Sequence, residues 1–572
     1  VKELGRSLVA DSGPRLIKGI AVLGAAAVIS KLLGTLQKIP LQNLAGDEAY
    51  GIYSAVYPFY VLILFLATAG YPVAVSKLVS EQIARGNGYE ARRIYRTSAA
   101  ILAITGIIGC TLLHFGAGVI AGWIGANQAE QAIRSVSYAL LIVPYMAASR
   151  GYYQGLQDMV PTAVSQVTEQ TVRVTVMITL ILLLTDAGAT SGSIAAGAML
   201  GSAAGAAAGL VVMLLYDWRG RTVRRKRDER MESRTATAAS SAVGQMALVR
   251  LISRHALPVA LGSIAVPIIS MIDSFTLPNM LAHHDGLSES EALYEYGVYA
   301  RGLPLVQLVA MLFSSMSVAL VPALSNARAL GDDAVVKRRT LLAVRLTWMI
   351  GLAATCGLAV VSLPVNIMLF TDDSGTLTMT IVAWTAVFSS LNVVTAAVLQ
   401  GLYLEKLPAV HLLVATGIKI ILNLLLIPMF GIAGAAWSGV IAYAAAGLLN
   451  LRAVMSHTGL RINMRDDVLK PACSVIAMVT VIIVLYGVFG LLGSWFEVDT
   501  ADRLWNTAQA SVMIGVGAVT FALVAVRIGA LREDELQLAP GVYRRVAPWL
   551  RRWHILRSDQ SQSLHTQDKH ED

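Results

Sequence analysis

Glu169 and Arg173 stand four residues apart inside RGYYQGLQDMVPTAVSQVTEQTVRVTVMITLILL (150–183), a stretch otherwise apolar enough to cross a membrane. An ionisable side chain at that depth costs about 2.5 to 3.5 kcal/mol on insertion scales, and it faces either a partner or a water-filled space. Lys31, Asp273, Arg301 and Lys419 fall within apolar stretches in the same way. Together they form a set with a cationic balance. The bland readings are definite: Glu169 and Arg173 share one helical face and can neutralise each other, Lys31 and Arg301 can snorkel outward, and Asp273 can serve as partner to one of the cations. Arg345, close to Arg339, reads as snorkelling inward. If the six charges meet instead in one cavity, that cavity suits an anion. Phosphate is the natural one, since Arg offers paired donors and Lys a point charge. Gln154, Ser165, Gln166, Gln170 and Asn423 stand nearby in sequence and could bind sugar hydroxyls or neighbouring backbone.

The elements that must position these residues are membrane helices. The chain has 572 residues, 56% of them hydrophobic and 14% charged, well short of the quarter charged that soluble domains carry. A spanning helix needs about 20 mainly apolar residues. Such runs are expected near 17–37, 51–73, 97–121, 134–152, 162–184, 190–216, 256–279, 298–323, 340–368, 378–400, 408–429, 431–453, 471–493 and 508–529. The fold class is therefore an all-α polytopic membrane protein of about fourteen spans. Lys and Arg collect in alternate connections (the N-terminal segment, 77–96, 217–254, 325–339, 452–470 and the C-terminal tail), while the others carry Asp47, Glu48, Glu130, Asp186, Glu289, Asp372 and Glu497. Cytoplasmic loops collect the cations, so both termini are expected in the cytoplasm. The net charge of +9 reflects topology, and no nucleic-acid partner is expected. The first apolar run reads as a retained helix and not a cleaved signal. Cys110, Cys356 and Cys473 lie in apolar helices without paired spacing, which points to neither a disulfide framework nor a metal. With no phosphate-binding Gly-Lys-Ser/Thr loop and no nucleophile elbow in the connections, an enzyme or an ATP-driven pump is disfavoured.

An internal repeat organises the chain. Tyr50-Gly51-Ile52-Tyr53 returns as Tyr296-Gly297-Val298-Tyr299, and Gln154-Gly155-Leu156 as Gln400-Gly401-Leu402, both displaced by 246; the stretch from Val73 to Gly86 resembles Val318 to Gly331, displaced by 245. At 246, Arg173 falls on Lys419 and Glu169 on Ala415, so the cation is repeated and the carboxylate is not. The expected organisation is an N-terminal six-helix bundle (1–216), a basic cytoplasmic linker (217–254), a C-terminal six-helix bundle (255–455), two additional helices (456–530) and a cytoplasmic tail (531–572). Residues 241–255 have helical apolar spacing and read as interfacial, as do 543–557 with Trp549 and Trp553 as anchors.

At Arg150-Gly151, Gln154-Gly155, Met159, Pro161-Thr162-Ala163, Ser165-Gln166, Glu169-Gln170 and Arg173, the sequence resembles the polysaccharide-transporter branch of the MOP superfamily. It is most similar to the SpoVB/YtgP group, relatives of the MurJ lipid II flippases. Ser30-Lys31-Leu32-Leu33-Gly34 matches the first-helix pattern of that group with Lys31 in the place of a functional Arg, and Arg301 matches approximately an Arg of the eighth helix. Gln37-Lys38 departs from an Arg-Asp pair, and an Arg expected near Leu64 to Thr68 is missing, which fits the SpoVB/YtgP-like branch better. The resemblance implies two bundles around a V-shaped central cavity in the bacterial cell membrane, and outward flipping of a polyprenyl-pyrophosphate-linked saccharide such as lipid II. On this reading Lys31, Arg173, Arg301 and Lys419 hold the pyrophosphate, Glu169 and Asp273 serve coupling or gating, and Gln154, Gln166, Gln170 and Asn423 line the site. No cofactor is expected beyond a coupling ion, Na+ or H+. Partners are the anionic lipid-linked saccharide, membrane lipids and cell-wall synthesis proteins. Two alternatives stand beside it: a MATE-like cation antiporter, which needs a carboxylate-dominated cavity, and a non-transporting scaffold for envelope assembly, which would tolerate loss of the cavity charges.

Overall fold

A computed structural model describes residues 22–68, 70–235, 244–284 and 286–531, together with Glu535 and Pro548. Among them every regular element is a helix, as hydrocarbon demands of a spanning chain whose backbone N–H and C=O groups find no water. In order these are α1 (22–36), α2 (Lys38–Thr68), α3 (Tyr71–Ala84), α4 (Gly88–Phe115), α5 (Ala117–Ile124), α6 (Ala129–Ser137), α7 (Ala139–Gly155), α8 (Val160–Asp186), α9 (Ser191–Thr235) and α10 (Gln245–His284). They continue as α11 (Glu289–Ala300), α12 (Leu303–Ala329), α13 (Asp333–Val360), α14 (Ser362–Phe370), α15 (Thr376–Ala383), α16 (Thr385–Gly401), α17 (Lys406–Phe430) and α18 (Ile432–Thr458), then a π-helical turn (Met464–Leu469), α19 (Lys470–Trp495) and α20 (Arg503–Arg527). Among the described residues, twelve helical runs are long and apolar enough to cross a membrane. One of them, Val22–Ala84, contains the first two expected spans, and α10 stands at the seventh. The all-α polytopic class is thus the observed one.

Side-chain caps start the helices where polar connections end. Asn87 accepts from the Glu90 N–H at 3.3 Å before α4, Asp332 from Val335 at 3.0 Å before α13, and Ser288 and Glu291 form a reciprocal capping box at α11. Each satisfies N–H groups that lack an intrahelical partner. Across the start of the expected linker α9 continues as helix to Thr235, and residues 236–243 lie outside the described residues, as do Trp549, Trp553 and the N-terminal basic residues.

The repeat extends to backbone geometry. α7 and α16 have the same length at the same displacement, and the left-handed residues pair up as Gly86 (φ 77°) with Gly331 (71°), Gly125 (75°) with Thr371 (71°), and Gln157 (59°) with Tyr403 (64°). A non-glycine side chain rarely adopts that conformation, so its recurrence at Gln157 and Tyr403 marks one turn built twice.

Packing divides the chain into two compact units, Val1–Pro304 with Ala409–Ala442, and Leu305–Pro408 with Tyr443–Asp572. This division is not the one that the repeat makes: α10, α11 and most of α17 belong with the first unit. Within the first unit the two Tyr-Gly-x-Tyr motifs meet each other. A Cβ on Gly51 would lie 1.9 Å from the Leu293 carbonyl oxygen, and one on Gly297 would lie 2.0 Å from that of Asp47, so α2 and α11 cross backbone on backbone. The small-residue rule for membrane helices is at work here. A Cβ on Gly155 would lie 2.7 Å from both the Ser76 carbonyl oxygen and the Val79 Cβ. In the second unit a Cβ on Gly401 would meet the equivalent Val321 carbonyl oxygen at 3.2 Å and Leu324 Cβ at 2.8 Å. The short motifs that reveal the repeat are therefore close helix contacts.

Arg345, expected to snorkel, is buried in the second unit instead. Its Nη1 is 3.2 Å from Glu535 Oε1 and its Nε 3.7 Å from Asp467 Oδ1, while Nη2 donates to the Ala530 carbonyl at 2.5 Å. It ties α13 to the π-helical turn before α19 and to the segment after α20. A buried cation finds carboxylates and carbonyls when the fold supplies them, and reaching water is then unnecessary.

The crossing at Gly51 and Gly297 admits no side chain. Gly51→Ala and Gly297→Ala are each expected to destabilise the detergent-solubilised protein by roughly 1 to 3 kcal/mol or more, measured as a lowered unfolding midpoint. Gly515→Ala, where nothing lies within 4 Å of the added carbon, is expected to unfold like the unsubstituted protein.

Candidate functional site

In the first unit α2 presents Tyr53, Tyr57 and Tyr60 at i, i+4 and i+7, on one helical face. Tyr53 and Tyr57 are stacked, ring centroids 5.8 Å apart and planes 14° off parallel. Arg173 of α8, only 7% exposed, reaches this face. Its Nη2 donates to the Tyr53 hydroxyl at 3.4 Å, and its guanidinium lies 5.5 Å from the centre of the Tyr57 ring. Lys38 Nζ lies 6.0 Å from the same ring. Two cations therefore lie by one tyrosine ring, and the quadrupole of an aromatic face stabilises a cation by about 0.5 to 2 kcal/mol. Among the described residues no carboxylate lies within ion-pair distance of either. Gln37 donates to Tyr53 Oη at 3.4 Å, and Gln170 of α8 lies against α1, where a Cβ on Gly34 would meet its Oε1 at 3.4 Å. The Oε1 atoms of both Gln37 and Gln170 are buried without a hydrogen-bond donor. The cluster has positive charge, ring faces and unused amide capacity.

The backbone that carries Arg173 is fixed from its other side by α9. Gly197, Gly201, Gly205 and Gly209 recur every four residues. A Cβ on Gly205 would meet the Glu169 carbonyl oxygen at 2.5 Å and Arg173 Cβ at 2.7 Å, and one on Gly201 the Arg173 carbonyl oxygen at 2.8 Å. Glycine lets α8 and α9 touch along this stripe, which leaves the guanidinium to extend toward α2.

Glu169 does not neutralise Arg173. Its Oε2 accepts from Arg150 Nη2 at 2.7 Å, while Arg150 also donates to Ser165 Oγ through Nη2 at 2.8 Å. Ser165 in turn donates to the Gly209 carbonyl at 2.8 Å. Beside this pair is a cavity of about 360 Å³ whose lining includes Arg150, Gln154, Thr162, Gln166, Leu23 and Ala27. Gln154 and Gln166 therefore belong with the acid and not with Arg173.

Lys419, the repeat counterpart of Arg173, is neutralised. Its Nζ donates to Asp273 Oδ2 at 2.6 Å, and Tyr299, the counterpart of Tyr53, donates to the same oxygen at 2.9 Å. Asn423 Nδ2 donates to Asp273 Oδ1 at 3.2 Å and to Thr276 at 2.6 Å; Ser438 donates to Asn423 Oδ1. Both halves thus bring a cation and the tyrosine of the repeated motif together, directly in the first and through Asp273 in the second. They differ because the position equivalent to Asp273 in the first half is Ala27.

Arg301, fully buried, pairs with Asp47 through Nε at 2.8 Å and through Nη2. Gln42 donates to Asp47 as well, at 3.1 Å, and Tyr50 Oη donates to the Ala300 carbonyl at 3.0 Å. This pair sits one turn from the Gly51 crossing. Lys31 is exposed on α1. The six charges read from the sequence therefore form separate groups: Arg173 with Lys38, Glu169 with Arg150, Lys419 with Asp273, Arg301 with Asp47, and Lys31 apart. Lys38, the three tyrosines and Arg150 were not among the site residues expected from the sequence; Tyr53 entered only through the repeat and Arg150 and Lys38 through the resemblance, although the spacing of Tyr53, Tyr57 and Tyr60 was available to mark one face. Among the described residues no cluster of His, Cys, Asp and Glu could hold a metal.

Comparison with known proteins agrees with this architecture. The family model described as polysaccharide biosynthesis protein matches residues 16–328. The uncharacterized membrane protein YabM of Bacillus subtilis is 29% identical over 524 residues, 91% of this chain and 94% of its own length. The lipid II flippase MurJ of the same organism is 26% identical over 550 residues, covering 93% of this chain and 98% of the relative. Among solved structures, lipid II flippase MurJ in an inward closed conformation superposes with a TM-score of 0.62 at 15% identity, over 88% of this chain and 98% of that one; at that identity the likeness speaks for the fold. The chain belongs to the polysaccharide biosynthesis protein family.

Proposed function

We propose that the protein is a flippase that moves a polyprenyl-pyrophosphate-linked saccharide, lipid II foremost, from the inner to the outer leaflet of the bacterial cell membrane by alternating access. It is a transporter and not an enzyme, and it serves peptidoglycan or polysaccharide synthesis. The observation that carries this reading is Arg173: a buried guanidinium with a second cation, Lys38, near the same tyrosine ring and no carboxylate beside it among the described residues. A charge in a low-dielectric setting stays costly until a counterion arrives, and a pyrophosphate is a counterion matched to the arginine fork. Lys31, on the helix that precedes Lys38, is a third cation for the same anion.

Arg301 and Lys419 stand differently. Each already holds a carboxylate, and either one could bind phosphate only after its pair opens. Asp273 and Glu169 are accordingly the carboxylates through which H+ or Na+ could couple to transport, since protonating either would release its cation. An inside-negative membrane potential favours export of an anion by about 2.3 kcal/mol per charge per 100 mV.

Replacing Arg173 tests the central assignment. Arg173→Ala is expected to lower lipid II translocation in flippase-depleted cells by about tenfold to a hundredfold, the worth of one charged hydrogen bond, and Arg173→Glu to abolish rescue. Full rescue by Arg173→Glu would leave the scaffold reading in its place.

Lys419 gives a second, separable test. Lys419→Ala strands Asp273 without its cation and is expected to cost about 3 to 5 kcal/mol in stability, with Lys419→Ala/Asp273→Ala recovering most of the loss in a thermal-unfolding assay. A Lys419→Ala protein that unfolds normally but fails to translocate would instead place Lys419 in the phosphate site.

A further inference from the structure

A separate cavity of about 490 Å³ lies at the start of α4, lined by Tyr89, Arg92, Arg93, Arg96, Thr97, Ala100 and Gln245. Three arginines within two helical turns contribute to it, and no carboxylate is among its lining residues. Glu90 stands beside it and pairs with Arg93 at 3.2 Å. The wall is built from two elements, because Gln245 at the start of α10 donates to Thr97 Oγ1 of α4 at 3.3 Å.

The floor of the cavity continues into an apolar lane. Below Arg96 and Ala100, at successive helical turns of α4, come Ile104, Ile108 and Leu112, with Ile107 beside them, all exposed. Cations at one end and an uncovered apolar ridge leading away match the two parts of a phospholipid, whereas a free phosphate uses only the first. The basic character of this connection places it on the cytoplasmic side, where basic pockets between membrane helices take anionic headgroups.

We propose that this cavity binds the phosphate of an anionic glycerophospholipid in the inner leaflet, with Arg92, Arg93 and Arg96 around the headgroup and an acyl chain along Ile104, Ile108 and Leu112. The site is distinct from the Arg173 cluster, and it stands or falls apart from the proposed transport activity.

The test uses the purified full-length protein in neutral detergent, with phosphatidylglycerol, phosphatidylcholine and inorganic phosphate as probes, reading lipid retention by native mass spectrometry and the unfolding midpoint. The expected result is retention and stabilisation with phosphatidylglycerol alone, lost in Arg92→Gln/Arg93→Gln/Arg96→Gln and kept in the charge-matched Lys337→Gln/Arg338→Gln/Arg339→Gln, at three exposed side chains of another basic connection. The single variant Arg96→Gln, at an exposed side chain, keeps the test decisive if the triple variant does not fold; it is expected to weaken binding about fivefold, the share of one cation at a membrane surface. Phosphatidylglycerol binding unchanged in Arg96→Gln, equal retention of phosphatidylcholine, or equal stabilisation by inorganic phosphate would each overturn the proposal.

Discussion

A charge buried in a membrane-embedded bundle must be compensated, and the first unit is arranged around how that constraint is met. Arg301 has Asp47, Lys419 has Asp273 with Tyr299 and Asn423, and Arg150 has Glu169. Such pairs contribute little net stability, yet removing one partner is costly because the other is left charged and dry. Arg173 departs from the pattern: its neighbours are tyrosine rings, a hydroxyl and another cation. The position from which a carboxylate serves Lys419 holds alanine in the other half, at Ala27. The two halves carry equivalent cations, and this one position leaves the second-half cation in a neutral pair and the first-half cation without a carboxylate.

Glycine sets the geometry on which those pairings rest. The mutual crossing at Gly51 and Gly297 brings α2 and α11 to backbone contact, and Asp47 and Arg301 meet one turn away on either side of it. The stripe from Gly197 to Gly209 does the same for α8 and α9 and fixes the backbone at Glu169 and Arg173. Close approach of backbones yields van der Waals contact where lipid offers no hydrophobic drive between helices. It also leaves little freedom to the side chains beside the contact, so the charges inherit their partners from the glycine positions.

Much of the fold was legible in the sequence because the bilayer limits what a chain can do. Apolar runs marked the spans, and a constant displacement at Tyr50-Gly51 and Gln154-Gly155 marked the repeat, down to turns such as Gln157 and Tyr403 that share a left-handed backbone. The pairing of charges was less legible. Helical spacing put Glu169 next to Arg173, but Arg150 on α7 offered the acid a better-placed donor together with Ser165. Asp47 read as a residue of an outer connection, since nothing local shows that the Gly51 crossing draws it to Arg301. Arg345 read as a snorkelling residue because its partners, Asp467 and Glu535, lie far along the chain. The Gly197 to Gly209 stripe was visible as a spacing of four and would have predicted the tight α8 and α9 pair. Sequence periodicity reports a residue's own helix, while ion pairing in a membrane is decided between helices.

The most direct measurement is a cryo-electron microscopy structure of the protein with lipid II bound. The expected result has the pyrophosphate within hydrogen-bond distance of the Arg173 guanidinium, near Lys38, with the Lys419 and Asp273 pair still closed. Density for the pyrophosphate elsewhere, with Arg173 still resting on Tyr57 and Tyr53, would contradict the assignment of Arg173 as the uncompensated cation that receives the substrate.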